Sequence, residues 1–378
     1  MIDQEKKTIH RRILLLGGTG AMGEHLTRIL AEQGDDVHVT TRSCRMSERN
    51  ITYVQGNAHE ITFINDLLRE SWDAIVDFMV YNTDEFRVRV SQLLKATKQY
   101  IFISSARVYG PTNSSDELIN EETPRLLDMI KDEEYLNTDE YALSKARQEN
   151  ILHEAGCNNW TIIRPYITFS ETRLQLGVLE KEDWLWRAIN GYSIVFSKDI
   201  ASHYTTLTYG YDVSRGIAGL IGLPAALGEV YHITTDEAYK WEEILEVYLH
   251  VLDKYLGHRP EVVMTDKCLN LRFPAMQFQV KYCRLFDRRF DNSKIRLAVP
   301  TLRFKNTRDE IESCLGTFLE SPLFSSPALL LNAQMDRVTG ERMRLNIYST
   351  LKSRLKYLVA RYAPTEIVKC LLYTSDAA

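Results

Sequence analysis

The sequence predicts an α/β fold, a doubly wound parallel sheet with a smaller α+β lobe and a C-terminal helical extension. Three observations carry that prediction. The first half alternates short, continuously apolar runs with amphipathic stretches, the pattern of parallel strands covered on both faces by helices. A glycine-rich turn, "GGTGAMG", stands between the first apolar run and the first amphipathic stretch. The 378 residues exceed the roughly 250 to 300 at which a single core stops growing, so a second lobe is expected.

In chain order, "RILLLGG" reads as a buried strand and "GEHLTRILAEQG" as a helix with Leu26, Ile29 and Leu30 on one face, stopped by Gly34. "DVHVTTR" and "ITYVQGN" are the second and third strands, "FINDLLRES" a helix and "DAIVDFMV" the fourth strand. "FRVRVSQLLKATK" is helical, "QYIFISS" the fifth strand, "EYALSKARQENILHEAG" a long helix and "WTIIRP" the sixth strand. The rhythm changes beyond Pro165, which bounds the first domain at 1–165. A return to that domain is expected near 205–228, where "DVSRGIAGLIGL" reads as a helix with Asp212 as its N-cap. Residues 166–330 are assigned to the substrate lobe, with "KEDWLWRAINGY" and "WEEILEVYLHVLDKYL" as helices and "EVYHITT" and "EVVMT" as short strands. Residues 331–378 form the extension, read as one long helical stretch from Met335 to Ala363. Its apolar stripe is Ile347, Leu351, Leu355, Leu358 and Tyr362, set against Arg342, Arg344, Lys352, Arg354, Lys356 and Arg361.

Composition narrows the function classes. A chain that is 44% hydrophobic and 26% charged belongs with soluble globular proteins, and no stretch approaches the roughly 20 apolar residues of a membrane span. The formal net charge of −5 gives no global electrostatic case for nucleic acid, so no such partner is expected. Six scattered cysteines without a CxxC read as reduced thiols of a cytoplasmic protein. The "ILLL" run is too short for a secretion leader and leads straight into glycines. None of the nine histidines falls at HExxH or similar spacing, so no catalytic metal is expected.

The glycine turn carries Gly17, Gly20 and Gly23 at GxxGxxG spacing. One glycine permits the tight turn, another admits the backbone to a pyrophosphate, and the third allows close helix–strand packing. The helix N-terminus presents its positive end to the anion. In this position the motif predicts dinucleotide binding, the alternative being a purely structural turn. An NAD-type site wants an acid at the end of the second strand, but the chain reads "VTTRS". Arg42, with Ser43 and Arg45 beside it, suits a 2′-phosphate, so NADP is favoured, with NAD and a merely solvated Arg42 as alternatives. Asn57 stands where it would meet an adenine edge or serve only as a turn residue. Thr19, Met22, Ala58, Phe78, Met79, Ser104 and Pro165 complete the expected cofactor contacts.

"YALSK" puts Tyr141 and Lys145 one turn apart on the same helix face. An ammonium beside a phenol favours the phenolate, making Tyr141 a proton acceptor or donor near neutral pH. Ser105, in "SSARVYG" at the end of the fifth strand, would reach the same oxygen, because such sheets gather ligands at the carboxyl ends of their strands.

The order of these motifs, together with "IIRP" and "YHITTDEAYKWEEI", resembles the extended short-chain dehydrogenases/reductases, specifically the nucleotide-sugar epimerase/dehydratase branch, over roughly residues 11 to 300. The resemblance implies a Rossmann domain and an enzyme of sugars or nucleotide sugars. Ser105, Tyr141 and Lys145 would bind and deprotonate a hydroxyl, and Lys145 would also hold the nicotinamide ribose. Ser104 would face the cofactor or support the strand end, and Val80, Arg107 and Tyr166 are expected on the substrate side. Relatives that eliminate water across C5 and C6 of a sugar carry an Asp-Glu pair where this chain has Ala106 and Arg107, so 4,6-dehydratase chemistry is not expected. Arg107 stands as a contact for an anionic group or as a surface or structural arginine.

The chain departs from that branch after the sixth strand, where "RPYITFSE" replaces "RPxNxYGP" and Ile167 takes the place of the asparagine that meets a diphosphate. The acidic segment between Gly110 and Tyr141 reads as a substrate flap or a solvated insertion. The C-terminal helix reads as a packing or oligomerising helix, with lipid contact through its basic face as the lesser alternative. A homodimeric epimerase or reductase is the leading expectation. The alternatives are a non-catalytic dinucleotide sensor or RNA-binding module, and a reductase of a non-sugar ketone.

Overall fold

The computed structural model describes residues 10–112, 117–268, 276–364 and Val368. The chain divides into two compact units. The first comprises Met1–Thr172, Thr206–Ala238 and Arg289–Thr307, and the second Arg173–Thr205, Tyr239–Arg288 and Arg308–Ala378.

The first unit is built on seven parallel strands: β1 (Arg12–Leu16), β2 (Asp36–Thr41), β3 (Ile51–Gln55), β4 (Trp72–Asp77), β5 (Thr97–Ile103), β6 (Trp160–Pro165) and β7 (Glu229–Ile233). They lie in the order β7-β6-β5-β4-β1-β2-β3. Side chains of a strand alternate between faces, and a run such as "RILLL" therefore feeds two cores. Ile13 and Leu15 join Val37, Val39, Ala74, Val76 and Ile101 on one face, while Leu14 and Leu16 join Ile75, Tyr100, Phe102 and Ile162 on the other. Helices α1 (Gly23–Glu32) and α5 (Gly210–Leu220) cover the first face with Leu26, Leu30, Val213 and Ile217. Helices α2 (Ile61–Leu67), α3 (Thr83–Lys95) and α4 (Tyr141–His153) cover the second with Ile64, Phe86, Leu93 and Leu152. Asn82 and Glu85 form a reciprocal capping box that starts α3 ahead of the apolar pattern.

Three sequence readings are corrected. "EVYHI" is not a strand of the smaller lobe but β7 of the central sheet, paired to β6 from Glu229↔Thr161 to Ile233↔Pro165. An edge strand half-covered by helices lacks the long apolar run that marks an internal one, and a local reading cannot assign it to a sheet. Asp212 is not the cap of α5: Tyr209 holds that position, and the Asp212 carboxylate accepts the Lys305 N–H at 2.8 Å. Among the described residues the extension is not one helix but two, α7 (Leu329–Thr339) and α8 (Leu351–Tyr362), because Gly340 adopts a left-handed φ of 79° that ends the first.

The second unit holds short strand pairs, Ile194–Ser197 with Val262–Thr265 and Tyr204–Thr205 with Tyr239–Lys240, beside α6 (Trp241–Leu256). Arg187, fully buried, is tied to Asp336 at 2.8 Å and Glu341 at 2.7 Å, which anchors α7 to this unit.

Close backbone packing places the glycine turn. A Cβ on Gly23 would lie 2.5 Å from the Gly18 carbonyl carbon, so α1 starts directly against the turn. From the other side, α5 approaches so closely that a Cβ on Gly210 would stand 2.2 Å from the Ala21 carbonyl oxygen. Ser214 Oγ donates to Met22 O at 2.7 Å and completes the clamp. Gly210→Ala is therefore expected to destabilise the fold by about 1–3 kcal/mol and to disturb the turn, checked by urea unfolding and by loss of any dinucleotide-induced thermal shift.

Candidate active site

Gly17 closes β1 with φ of 70°, a conformation that favours glycine, and donates its N–H to Thr40 Oγ1 at 2.9 Å. A Cβ there would meet Met79 Sδ at 2.7 Å, whereas a Cβ on Gly20 would meet nothing within 4 Å. The turn is thus packed on one side and open on the other. No side chain caps the N-terminus of α1. Beside the turn lies a hollow of about 250 Å³ lined by Gly17, Thr19, Thr40, Thr41, Arg42, Gly56, Asn57, Ala58, His59 and Met79. An open glycine, an uncapped helix start and this hollow fit the diphosphate and adenosine of a dinucleotide. Of the predicted cofactor residues, Gly17, Thr19, Arg42, Asn57, Ala58 and Met79 meet there. Thr40, which holds the turn, was missed because its role follows only from β2 lying beside β1.

Other predicted residues are engaged elsewhere. Arg42 is exposed and makes no ion pair among the described residues. Its neighbour Arg45 is bound to Glu24 at 2.6 Å and lies over the Tyr53 ring. Ser43 is exposed and donates its N–H to Thr41 Oγ1. The Asn57 side chain accepts from His59 N at 3.1 Å and so serves the turn. Phe78 and Met22 pack against the first core. Pro165 ends β6 opposite Ile233. Ser104 is buried, and its Oγ donates to Glu149 at 2.6 Å, which ties the end of β5 to α4. Tyr166 is 7% exposed and packed on Phe290, whereas Val80 is open to solvent.

At the carboxyl ends of β4 and β5 the chemistry-bearing groups converge. Lys145 is buried, and its Nζ donates to Ile103 O at 2.9 Å and Met79 O at 3.4 Å, bridging the two strand ends. It sits 4.5 Å from the Phe102 ring centre and 6.0 Å from that of Tyr141. Tyr141 opens α4 and is half-buried. On that ring lies a second cation, the Arg107 guanidinium at 5.3 Å, bound to the buried carboxylate of Glu140. Glu140 also accepts from Tyr135 Oη at 3.1 Å and from Ala142 N at 2.8 Å, capping α4. Ser105 follows β5 and its Oγ accepts the Arg107 N–H at 3.2 Å. Arg107 is therefore a positioned cation beside the phenol, not a solvated one.

Burial lowers Lys145 to about 8, against the opposing pull of Asp77 and Glu149. Asp77, at the end of β4, was missed by sequence reasoning, since "DFMV" reads as ordinary strand. Its carboxylate is fully buried, accepts from Tyr100 Oη at 2.8 Å and Met79 N at 3.0 Å, and is pushed up by burial. Asp77 thus fixes the same peptide segment whose carbonyl receives Lys145.

Residues 13–178 match the model of the NAD dependent epimerase/dehydratase family. Among solved structures, UDP-glucose 4-epimerase from Bifidobacterium longum, in complex with NAD+ and UDP, superimposes with a TM-score of 0.61 at 19% identity. That match covers 82% of this chain and 99% of the other, and establishes the shared fold. Among curated proteins, the chain is 24% identical over 261 residues to NADH dehydrogenase [ubiquinone] 1 alpha subcomplex subunit 9, mitochondrial, of Dictyostelium discoideum, covering 64% of each. It is 23% identical over 243 residues to the Chloroplast stem-loop binding protein of 41 kDa b of Arabidopsis thaliana, covering 60% of this chain and 59% of that one. The chain thus spans about three-fifths of the length of these two relatives. No helix among the described residues is long and apolar enough to cross a membrane.

Because folded Lys145 holds its proton less tightly than an unfolded lysine with its ordinary value of 10.5, its burial costs stability below pH 8, and that cost fades as pH rises towards 10.5. Lys145→Met is expected to flatten this rise, and Asp77→Asn to move its onset below pH 8 by removing a charge that favours the ammonium. Urea unfolding on either side of that pH checks both, and an unmoved onset in Asp77→Asn would show that its charge does not reach Lys145.

Proposed function

We propose that the protein is an NAD(P)-dependent oxidoreductase or epimerase acting on a hydroxyl or keto group of a sugar, carried as a nucleotide sugar. The observation supporting this most strongly is the meeting of Tyr141, Lys145 and Arg107 at the strand ends of a unit that also carries the glycine turn. A bound nicotinamide would supply or accept hydride at the sugar carbon. Tyr141 Oη takes the proton from the substrate hydroxyl, or returns it, while Ser105 Oγ hydrogen-bonds the same oxygen. Lys145 and Arg107 place positive charge near the phenol, at 6.0 and 5.3 Å from its ring centre, which stabilises the anionic form of that oxygen during proton transfer. Lys145 is held by two carbonyls and so keeps one position through the exchange. Neither Ala106 nor Arg107 can trade protons as carboxylates do, which argues against elimination of water across C5 and C6.

NADP is the proposed cofactor, with NAD as the alternative. Thr41 ends β2 without a carboxylate, and the exposed Arg42 lines the adenosine hollow, where a guanidinium suits a 2′-phosphate. A second reading, a dinucleotide-binding module without turnover, draws support from the curated relatives, whose names describe a respiratory-complex subunit and a stem-loop binder. Retention of both Tyr141 and Lys145 favours the enzyme.

Tyr141→Phe is expected to reduce turnover of a reactive nucleotide sugar by about 10²-fold or more while the dinucleotide-induced thermal shift persists. An undiminished rate sinks the acid/base role, and absence of turnover in the unmutated protein across UDP-, GDP-, CDP- and dTDP-sugars supports the module. Arg42→Ala is expected to weaken NADP about tenfold, the loss of one charge-assisted contact, and to leave NAD unchanged. Titration with each dinucleotide decides it. Dinucleotide released on denaturing the purified protein, in equimolar amount, identifies an epimerase that regenerates its cofactor; none identifies a reductase.

A further inference from the structure

Helix α8 turns outward most of the apolar stripe that reads from the sequence as the face of a packing or oligomerising helix, whereas Ile347 precedes the helix and packs against the buried cluster. Leu351, Leu355 and Tyr362 are 75%, 63% and 61% exposed, and Leu358, partly covered, joins them at spacings of i, i+4, i+7 and i+11. The face that does pack is the opposite one: Tyr357 and Ala360 are buried with Ala333, Met343 and Tyr348 against α7. Helical periodicity sets Lys352 and Lys356 along one flank of the exposed ridge and Arg354 and Arg361 along the other. The arginines are held there, Arg354 Nε donating to Tyr348 O at 2.9 Å and Arg361 Nη2 to Glu341 O at 3.0 Å. Both lysines are exposed and make no ion pair among the described residues. From Arg342 to Tyr362 the chain carries six cations and no acid, within a protein whose formal net charge is −5.

We propose that α8 docks the protein on an anionic lipid surface, with Leu351, Leu355 and Tyr362 entering the acyl boundary and the flanking cations meeting the headgroups. An apolar ridge bordered on both sides by cations, on a helix whose other face is fixed to the fold, is the arrangement that interfacial helices use. The charge argues against a second copy of the chain as occupant, because a like-charged ridge repels itself and the ridge lacks acids to pair across a two-fold axis. The overall negative charge opposes adsorption, so attachment has to be local to this helix. The proposal is independent of the reaction assigned to the first unit.

Co-sedimentation of the full chain with vesicles of phosphatidylcholine, and of phosphatidylcholine mixed equally with phosphatidylglycerol, tests it. Binding is expected only to the anionic vesicles and is expected to fall with added salt. Lys352→Gln with Lys356→Gln should lower the partition coefficient about thirtyfold, from about 1 kcal/mol per lysine near such a surface. Leu351→Ser with Leu355→Ser should abolish sedimentation; both pairs lie on exposed positions, and an unchanged Tm confirms that the fold is intact. Absence of sedimentation with anionic vesicles, equal binding to neutral ones, or binding unaltered in the folded leucine variant overturns the proposal. The last result accompanied by conversion of a dimer to a monomer would assign the ridge to a second copy.

Discussion

The buried ammonium of Lys145 is the constraint around which the first unit is arranged. A charge taken out of water demands partners, and two backbone carbonyls at the ends of adjacent strands, Met79 O and Ile103 O, provide them. Those carbonyls are available because parallel strands expose their last acceptors at the carboxyl edge of the sheet. Asp77 and Tyr100 secure the β4 end, α4 delivers the lysine, and Tyr141 is carried one turn earlier on the same helix. Remove the lysine and the phenol loses its neighbour while the strand ends lose their bridge.

A second buried charge lies four residues further along α4. Glu149 accepts from Arg164 at 2.9 and 2.7 Å, Ser104 at 2.6 Å and Arg125 at 3.2 Å. Burial pushes its carboxyl up, but the arginines and the serine outweigh this and hold it below its ordinary range. Truncating one partner of such a node leaves an uncompensated buried charge, which is why ion pairs of this kind tolerate change poorly even where they add little net stability. The node explains why the two adjacent serines differ: Ser104 is committed to the helix, whereas Ser105 sits at the strand end beside Arg107.

The glycine turn has a different physical basis. It is set by contacts too close for any side chain, Gly23 against Gly18 from α1 and Gly210 against Ala21 from α5. A segment some two hundred positions later in the chain therefore shapes the turn as directly as the motif itself does. The Rossmann architecture is in this sense closed by the returning helix and not by the first half of the chain alone.

By itself the sequence determined the six alternating strands and helices of the first half, the glycine turn, and the serine, tyrosine and lysine, because periodicity and spacing are local and survive without coordinates. The tertiary structure alone decided what depends on which elements become neighbours. That β7 joins the central sheet, that Ser104 turns to Glu149, that the Asp77 charge acts on Lys145 and that Glu140 fixes Arg107 over Tyr141 all follow from strand order and helix placement. The stripe on α8 was legible as a pattern, but periodicity reports that one face is apolar and not whether that face is covered. Tyr357 and Ala360 took the buried side because the turn at Gly340 folds α8 back onto α7, and that left Leu351 and Leu355 outside.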